Sequence, residues 1–528
     1  ESYSKIISYG SNSYGPTSFK VWTKSGQIIE FGNTADSAIE AQGKTAIRVW
    51  AVNKVGDTKG NYLTVGYTED TANGEYYPKE IDYTGNTKVT PALLTYNSVR
   101  FIYATRPDIT PMYDGGSLIK STQRLTNVQT WAQVSGVDTL VKDYQLTYDV
   151  SAATQFIQDS RLIQIQECDS SAISVCLPAT SFGLHPLSSD LVVPSYEGAV
   201  LPNAINGYWS YHSQPQYMQS GDFNGDGKMD YMWIPNNSDG RWLVAYSTGN
   251  GFTTPVYSSP AIPATISGYL AYHSQPQYMK FADFNGDGKM DYMWIPNNSD
   301  GRWLVAYSTS NVMLISSITT GLNAITTIDY KPLTNSTVYT KDNNAVYPLV
   351  DIQAPMYVVS SVSSSNGIGG NYVSNYNYVG AKSHMTGGGF LGFRQTINTD
   401  AQGIKSTTTY RQDYPYQGLP LTAEKRTSSG VLLNSVANTW TATTNPAWSP
   451  QYHASQIGQS VESSYELTGG LISTVTTSNV YDGYGNPTSI TVSTPDGYSK
   501  TTTNTYVNDL ANWYLGRLIN ATVSSTAP

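Results

Sequence analysis

The residues best able to do chemistry lie in a nine-residue stretch, DFNGDGKMD, that the chain writes twice. Oxygen side chains stand at positions 1, 3, 5 and 9 of each copy: Asp222, Asn224, Asp226 and Asp230, then Asp283, Asn285, Asp287 and Asp291. Calcium takes about six to eight hard oxygen ligands, and alternate residues of a tight loop can aim at one centre. Gly225 and Gly227 permit the turn, and the main-chain carbonyl of Lys228, or of Lys289 in the second copy, adds a further oxygen. The spacing therefore predicts one Ca2+ in each loop, neutralising three carboxylates crowded into one turn. The plainer alternative is an Asx-rich surface turn that holds no metal. A helix–loop–helix site is excluded, because Trp233 and Trp294 stand where its bidentate glutamate belongs and the flanks, YMWIP and RWLVAYST, read as strands.

Other chemistry is sparse. The sequence has no HExxH, no G-x-S-x-G and no Walker A pattern. GIGGNY at Gly367 lacks the third glycine and the βαβ context of a dinucleotide site. His212 and His273 occupy equivalent places in the two copies, which favours packing or hydrogen bonding over catalysis. The expectation is a protein that is not an enzyme. An enzyme acting on polysaccharide stays open, because paired carboxylates for glycoside hydrolysis can be far apart in the chain. GYWSYHSQPQY and GYLAYHSQPQY could stack on sugar rings or pack between sheets; packing is the stronger reading. In GGGFLGF, Phe390 and Phe393 are expected to be buried, the alternative being an exposed partner contact.

The elements that must position these residues are strands. Charged residues make up 13% of 528, while Gly (45) and Tyr (42) are abundant, as in many short strands joined by tight turns. FKVWTKSGQIIEF reads as a hairpin turning at Ser25–Gly26, and period-two stretches such as YLTVGYTED, VRFIYATRPD and RLIQIQEC continue the pattern. Gly207–Thr248 and Gly268–Thr309 agree at 37 of 42 positions, a fixed period that implies stacked or radially arranged units. Three regions are expected: an N-terminal β domain over 1–195, the tandem repeats over 205–312, and a second large β region over 315–528.

The totals limit partners. A net charge of −9 without basic clusters argues against nucleic acid. No apolar run is long enough to span a membrane as a helix. ESYSKIISYG has no signal-peptide character, so either a leader has been removed or the sequence is an internal piece. Cys168 and Cys176, in QECDSSAISVC, fit a cross-hairpin disulfide, which an oxidising compartment favours; two reduced, buried thiols are the other reading.

The acidic loop followed by YMWIPNN and GRWLVAYST resembles the FG-GAP, integrin-α-like blade of β-propellers. The strands of 15–185, ending LIQIQECDSSAISVCLPATSF, look like the N-terminal region of the Salmonella virulence plasmid B (SpvB) toxins and of insecticidal toxin-complex B components. GLNAITTIDYKPL, YPLVDIQAPMYVVSSVSSSNGIGG and GAKSHMTGGGFLGFRQT resemble the middle region of the same proteins, and YDGYGNP at Tyr481–Pro487 looks like one YD unit of Rhs repeats. The resemblance implies an all-β, Rhs/YD-type shell with FG-GAP propeller-type blades, one part of a secreted toxin complex that encloses or delivers a toxin. Its partners would be the other toxin-complex subunits or the remaining Rhs shell. Two departures stand out: only two clear blades, and neither an Rhs core nor a toxin. A calcium-dependent extracellular adhesin or carbohydrate-binding protein, with host-surface glycans as partners, is the second reading.

Overall fold

The computed structural model describes residues 3–109, 111–149, 160–170, 175–184, 314–443 and 454–528. Between 195 and 306 it describes only 195–197, 218–221, 229–233, 243–247, 252–253, 256–257, 279–284, 286, 291–294 and 303–306. Among the described residues every regular element is a β-strand, as the composition and the period of two predict. No helix there is long and apolar enough to cross a membrane, which says nothing of strands. The chain divides into two units. One gathers Glu1–Gly183, Ile318–Ile325 and Val431–Pro528; the other gathers Leu184–Ser317 and Thr326–Gly430.

The first unit contains two antiparallel runs. In one, Lys5–Tyr9, Ser18–Trp22, Ile28–Phe31, Val52–Gly56, Asn61–Asp70, Glu75–Asn86, Asn97–Thr105, Gln123–Val134, Val137–Asp149 and Arg161–Asp169 pair each with the next. The other passes through Leu432–Thr443, Ala454–Tyr465, Leu471–Tyr481, Pro487–Ser493, Ser499–Asp509 and Tyr514–Thr526. Few of these side chains are fully buried. Serine, threonine and tyrosine tolerate a half-wet pleated surface, so such strands can present polar groups on both faces.

One turn recurs where these strands reverse. At Asp57 and at Asp482 the carboxylate Oδ1 accepts from the backbone amides two and four residues on, and the residue's own carbonyl accepts from the amide three on. The third following residue is Gly60 or Gly485, at φ +89° and +69°. This is a tight turn followed by a left-handed residue, a conformation in which glycine carries no Cβ penalty. Asp400 and Gly403 repeat it, and at Thr320 the left-handed place is taken by Asn323. The YDGYGN motif is thus a capped hairpin turn shared with VGDTKGN near the N-terminus.

The Asp482 turn also anchors the chain's beginning. Tyr3, Ala454 and Leu515 form a small buried cluster with Tyr484 and Trp513 against it. Trp513 Nε1 donates to the Tyr3 carbonyl at 2.9 Å, Gln456 Nε2 to the Tyr3 hydroxyl at 3.0 Å, and Lys24 Nζ to the Tyr484 carbonyl at 2.7 Å. Elsewhere Cys168, at the end of Arg161–Asp169, is joined to Cys176 by a disulfide, so the bonded alternative holds rather than free thiols.

Polar locks tie long connections to the sheet. Arg106 grips Asp108 with Nε at 2.9 Å and Nη2 at 2.7 Å, while Ser160 donates to the same carboxylate from its amide (2.6 Å) and hydroxyl (2.7 Å). The guanidinium first, then Ser160, holds the Asp108 carboxyl well below the usual carboxylate range. A carboxyl whose folded pKa is depressed stabilises fully above its unfolded pKa of about 4, and that gain is lost as pH falls towards the folded value. Asp108→Asn is therefore expected to cost about 2 kcal/mol at pH 7. In urea titrations at pH 7 and pH 3 the wild-type advantage should shrink at the lower pH; a gap independent of pH would remove the ionic explanation.

The second unit has its own run: Ile325–Pro332, Tyr357–Ser365, Asn371–His384, Gly389–Thr399, Lys405–Tyr410 and Pro420–Arg426, all antiparallel. Its core is Leu333, Val338, Tyr339 and Ala381, with Ile352, Val358, Tyr378 and Phe393 against them. The GGGFLGF segment divides. Phe393 packs on Tyr378 with centroids 4.8 Å apart, but Phe390 keeps 45% exposure, correcting the expectation that both are buried. Gly392, at φ +81°, turns the backbone between them, and Leu391 takes the buried place instead.

Candidate functional site

The two acidic stretches sit in two small sheets of the second unit. In one, Met218–Gly221, Asp230–Trp233, Leu243–Ala245 and Val256–Tyr257 pair in that order. In the other, Met279–Ala282, Asp291–Trp294 and Trp303–Ala306 repeat the first three strands, and the fourth is Ser195–Glu197. The first sheet takes its fourth strand from the segment after the repeat, and the second takes it from the segment before both copies. Sequence comparison of the copies could not show this, because Ser195–Glu197 belongs to neither.

In both sheets the acidic stretch is the connection of an antiparallel hairpin. Gly221 lies opposite Asp230, and Ala282 lies opposite Asp291. In the second stretch the first and last oxygen-bearing residues, Asp283 and Asp291, therefore flank a hairpin neck rather than the ends of an extended segment, and in the first Asp230 stands at the neck opposite Gly221. Asp283 itself is half-buried. Asp222, Asn224, Asp226, Lys228, Asn285, Asp287 and Lys289 lie outside the described residues, as do His212 and His273. Among the described residues no three of His, Cys, Asp and Glu gather as a metal group.

What holds the second loop is visible at two points. Phe284 keeps only 1% exposure and meets Phe252 edge-on at 6.3 Å. Its carbonyl accepts from the buried Ser247 hydroxyl at 2.5 Å, and both Ser247 and Phe252 follow the first sheet's third strand. Gly286, at φ +72°, offers its carbonyl to the buried Thr334 hydroxyl, on the segment after Ile325–Pro332. Tyr231, one residue past Asp230, keeps 1% exposure. The loop is thus pinned by an aromatic plug and two backbone acceptors, an arrangement that fixes carbonyl oxygens in place. Neither Phe252 nor Thr334 carried a recognisable signal in the sequence.

Similarity to known proteins follows this geometry. Residues 246–421 match the family model described as the insecticide toxin TcdB middle/N-terminal region. No curated protein matches the sequence. Among solved structures, TcdB2-TccC3-Cdc42 aligns over 99% of this chain at a TM-score of 0.75 and 10% identity. The Photorhabdus luminescens Tc holotoxin pore aligns over 100% of it at 0.69 and 11%. At that identity the likeness is one of fold. The chain spans 41% of the length of the matched chain in either structure.

Proposed function

We propose that this chain, similar to toxin-complex B components in its family match and in its fold, builds part of the β-sheet shell of a secreted toxin complex. The observation that carries the proposal is the fold match to TcdB2-TccC3 along 99% of the chain, joined to the family match over 246–421. The sheets support it physically: long antiparallel strands with polar, half-exposed side chains suit a wall wetted on both faces. On this reading the chain is not a catalyst. Its partners are other toxin-complex subunits or the remaining Rhs shell, and it acts outside the cell. The 205–312 region contributes two FG-GAP, propeller-type blades held by Ca2+, between an SpvB-like region over 1–195 and a middle region over 315–528.

The test is co-expression with a TccC-type subunit and purification through a tag on this chain. A complex that survives gel filtration is the expected result. A chain that elutes alone, and is retained on immobilised glycans in a calcium-dependent way, overturns the shell reading in favour of an adhesin.

A further inference from the structure

Three side chains of the second unit, none of them in the acidic loops, converge. Strand Leu349–Asp351 pairs antiparallel with the end of Asn371–His384, which sets Asp351 opposite Lys382. Gly380, Ala381 and Lys382 are consecutive and all buried, so the strand is covered on both faces there. Lys382 Nζ lies 3.4 Å from Asp351 Oδ1, and the two side chains keep 11% and 7% exposure. Asp351 Oδ2 accepts from the Ala345 amide at 2.8 Å, whereas the buried Oδ1 accepts no hydrogen bond. Nζ instead donates to the side-chain carbonyl of Asn344 at 2.6 Å.

An amine is therefore held at a carboxamide, with a carboxylate oxygen placed to take its proton. We propose that Lys382 and Asn344 become joined by an intramolecular isopeptide bond, with Asp351 as the proton carrier. Nζ gives one proton to Asp351 Oδ1 and attacks Asn344 Cγ. A second Nζ proton passes by way of Asp351 to Nδ2, the Cγ–Nδ2 bond breaks, and ammonia leaves. Asp351 keeps the first proton and ends as a neutral carboxylic acid beside the new amide. Atoms and charge balance without any oxidant or co-reactant: a lysine ammonium, a carboxylate and a primary amide become a secondary amide, a carboxylic acid and ammonia.

The surroundings favour the product. Ala381 and Ile352, the chain neighbours of Lys382 and Asp351, belong to the unit's apolar core, where a charge pair costs more than a neutral amide. Asn344 is exposed, which gives ammonia a way out. The bond would tie positions 38 apart in the chain, restricting the unfolded state as a disulfide does.

The intact mass of the purified chain decides the matter, together with protease mapping. The expected mass is lighter than the sequence by one ammonia, beyond the two hydrogens of the Cys168–Cys176 disulfide. A branched peptide should carry both Asn344 and Lys382, with no tryptic cleavage after Lys382. Asn344→Ala and Lys382→Arg should restore the missing mass, and Asp351→Asn should block the reaction. If these variants do not fold, the wild-type mapping alone still decides. An unmodified mass overturns the proposal, and so does loss of ammonia without the branched peptide.

Discussion

Chelating calcium is expected to lower the melting temperature of this protein, and added calcium to restore it more fully than magnesium. The hairpin register places Asp283 and Asp291 of the second loop beside one neck, with Asp291 opposite Ala282, and sets Asp230 of the first loop opposite Gly221. Two such charges 4 Å apart repel by about 1 kcal/mol even in water, and by more where solvent is excluded. A cation that binds only the folded loop stabilises it by about 2.7 kcal/mol at a hundredfold excess over its dissociation constant. Two occupied loops would add about twice that, a shift of ~10 °C on the scale of large domains. Calcium tolerates irregular oxygen cages, whereas magnesium demands a strict octahedron and keeps its waters. Asp226→Ala and Asp287→Ala should each remove one bound ion by elemental analysis, and the double variant both. Identical melting curves with and without chelator, with no calcium bound, would leave the repeat as an acidic turn and nothing more.

The sequence showed the local rules and not the long-range partners. The Phe19–Phe31 hairpin, the YDGYGN turn and the strands flanking the acidic loops were legible because each depends on residues a few positions apart. Glycine at a left-handed position and an aspartate three residues before it announce such a turn wherever they occur. Ser195–Glu197 completing a sheet with Trp303–Ala306 left no such trace, and neither did Tyr3 docking beside Trp513. Those pairings are chosen by packing between segments a hundred or more residues apart, about which a period of two is silent. The same limit explains Phe390, an apolar residue in an apolar motif whose exposure is set by the bend at Gly392. Among the candidate ligands, sequence gave spacing and the fold added the hairpin neck.

Replacing Phe284 tests whether the second acidic loop is built into the fold or merely attached to it. Phe284 lies between two candidate ligands, Asp283 and Asn285, yet it is among the largest fully buried side chains of the described residues. Phe284→Ala removes its edge-on contact with Phe252 and leaves a cavity beside Ser247, a change expected to cost about 3–5 kcal/mol. Phe284→Leu keeps most of the volume and should cost about 1 kcal/mol. Phe390→Ala, made at a ring with 45% exposure, is the control and should cost roughly 0.5 kcal/mol. Urea titrations of the three variants give the ranking. A calcium titration adds the link to the site, because the Ser247 and Thr334 contacts fix the Phe284 and Gly286 carbonyls only while the loop is seated. Phe284→Ala should therefore weaken calcium at the second loop and leave the first loop's ion in place. If Phe284→Ala proves no more costly than Phe390→Ala, the loop is not anchored by its aromatic plug. If stability falls while both ions bind as before, the plug serves the sheet alone and the metal site is independent of it.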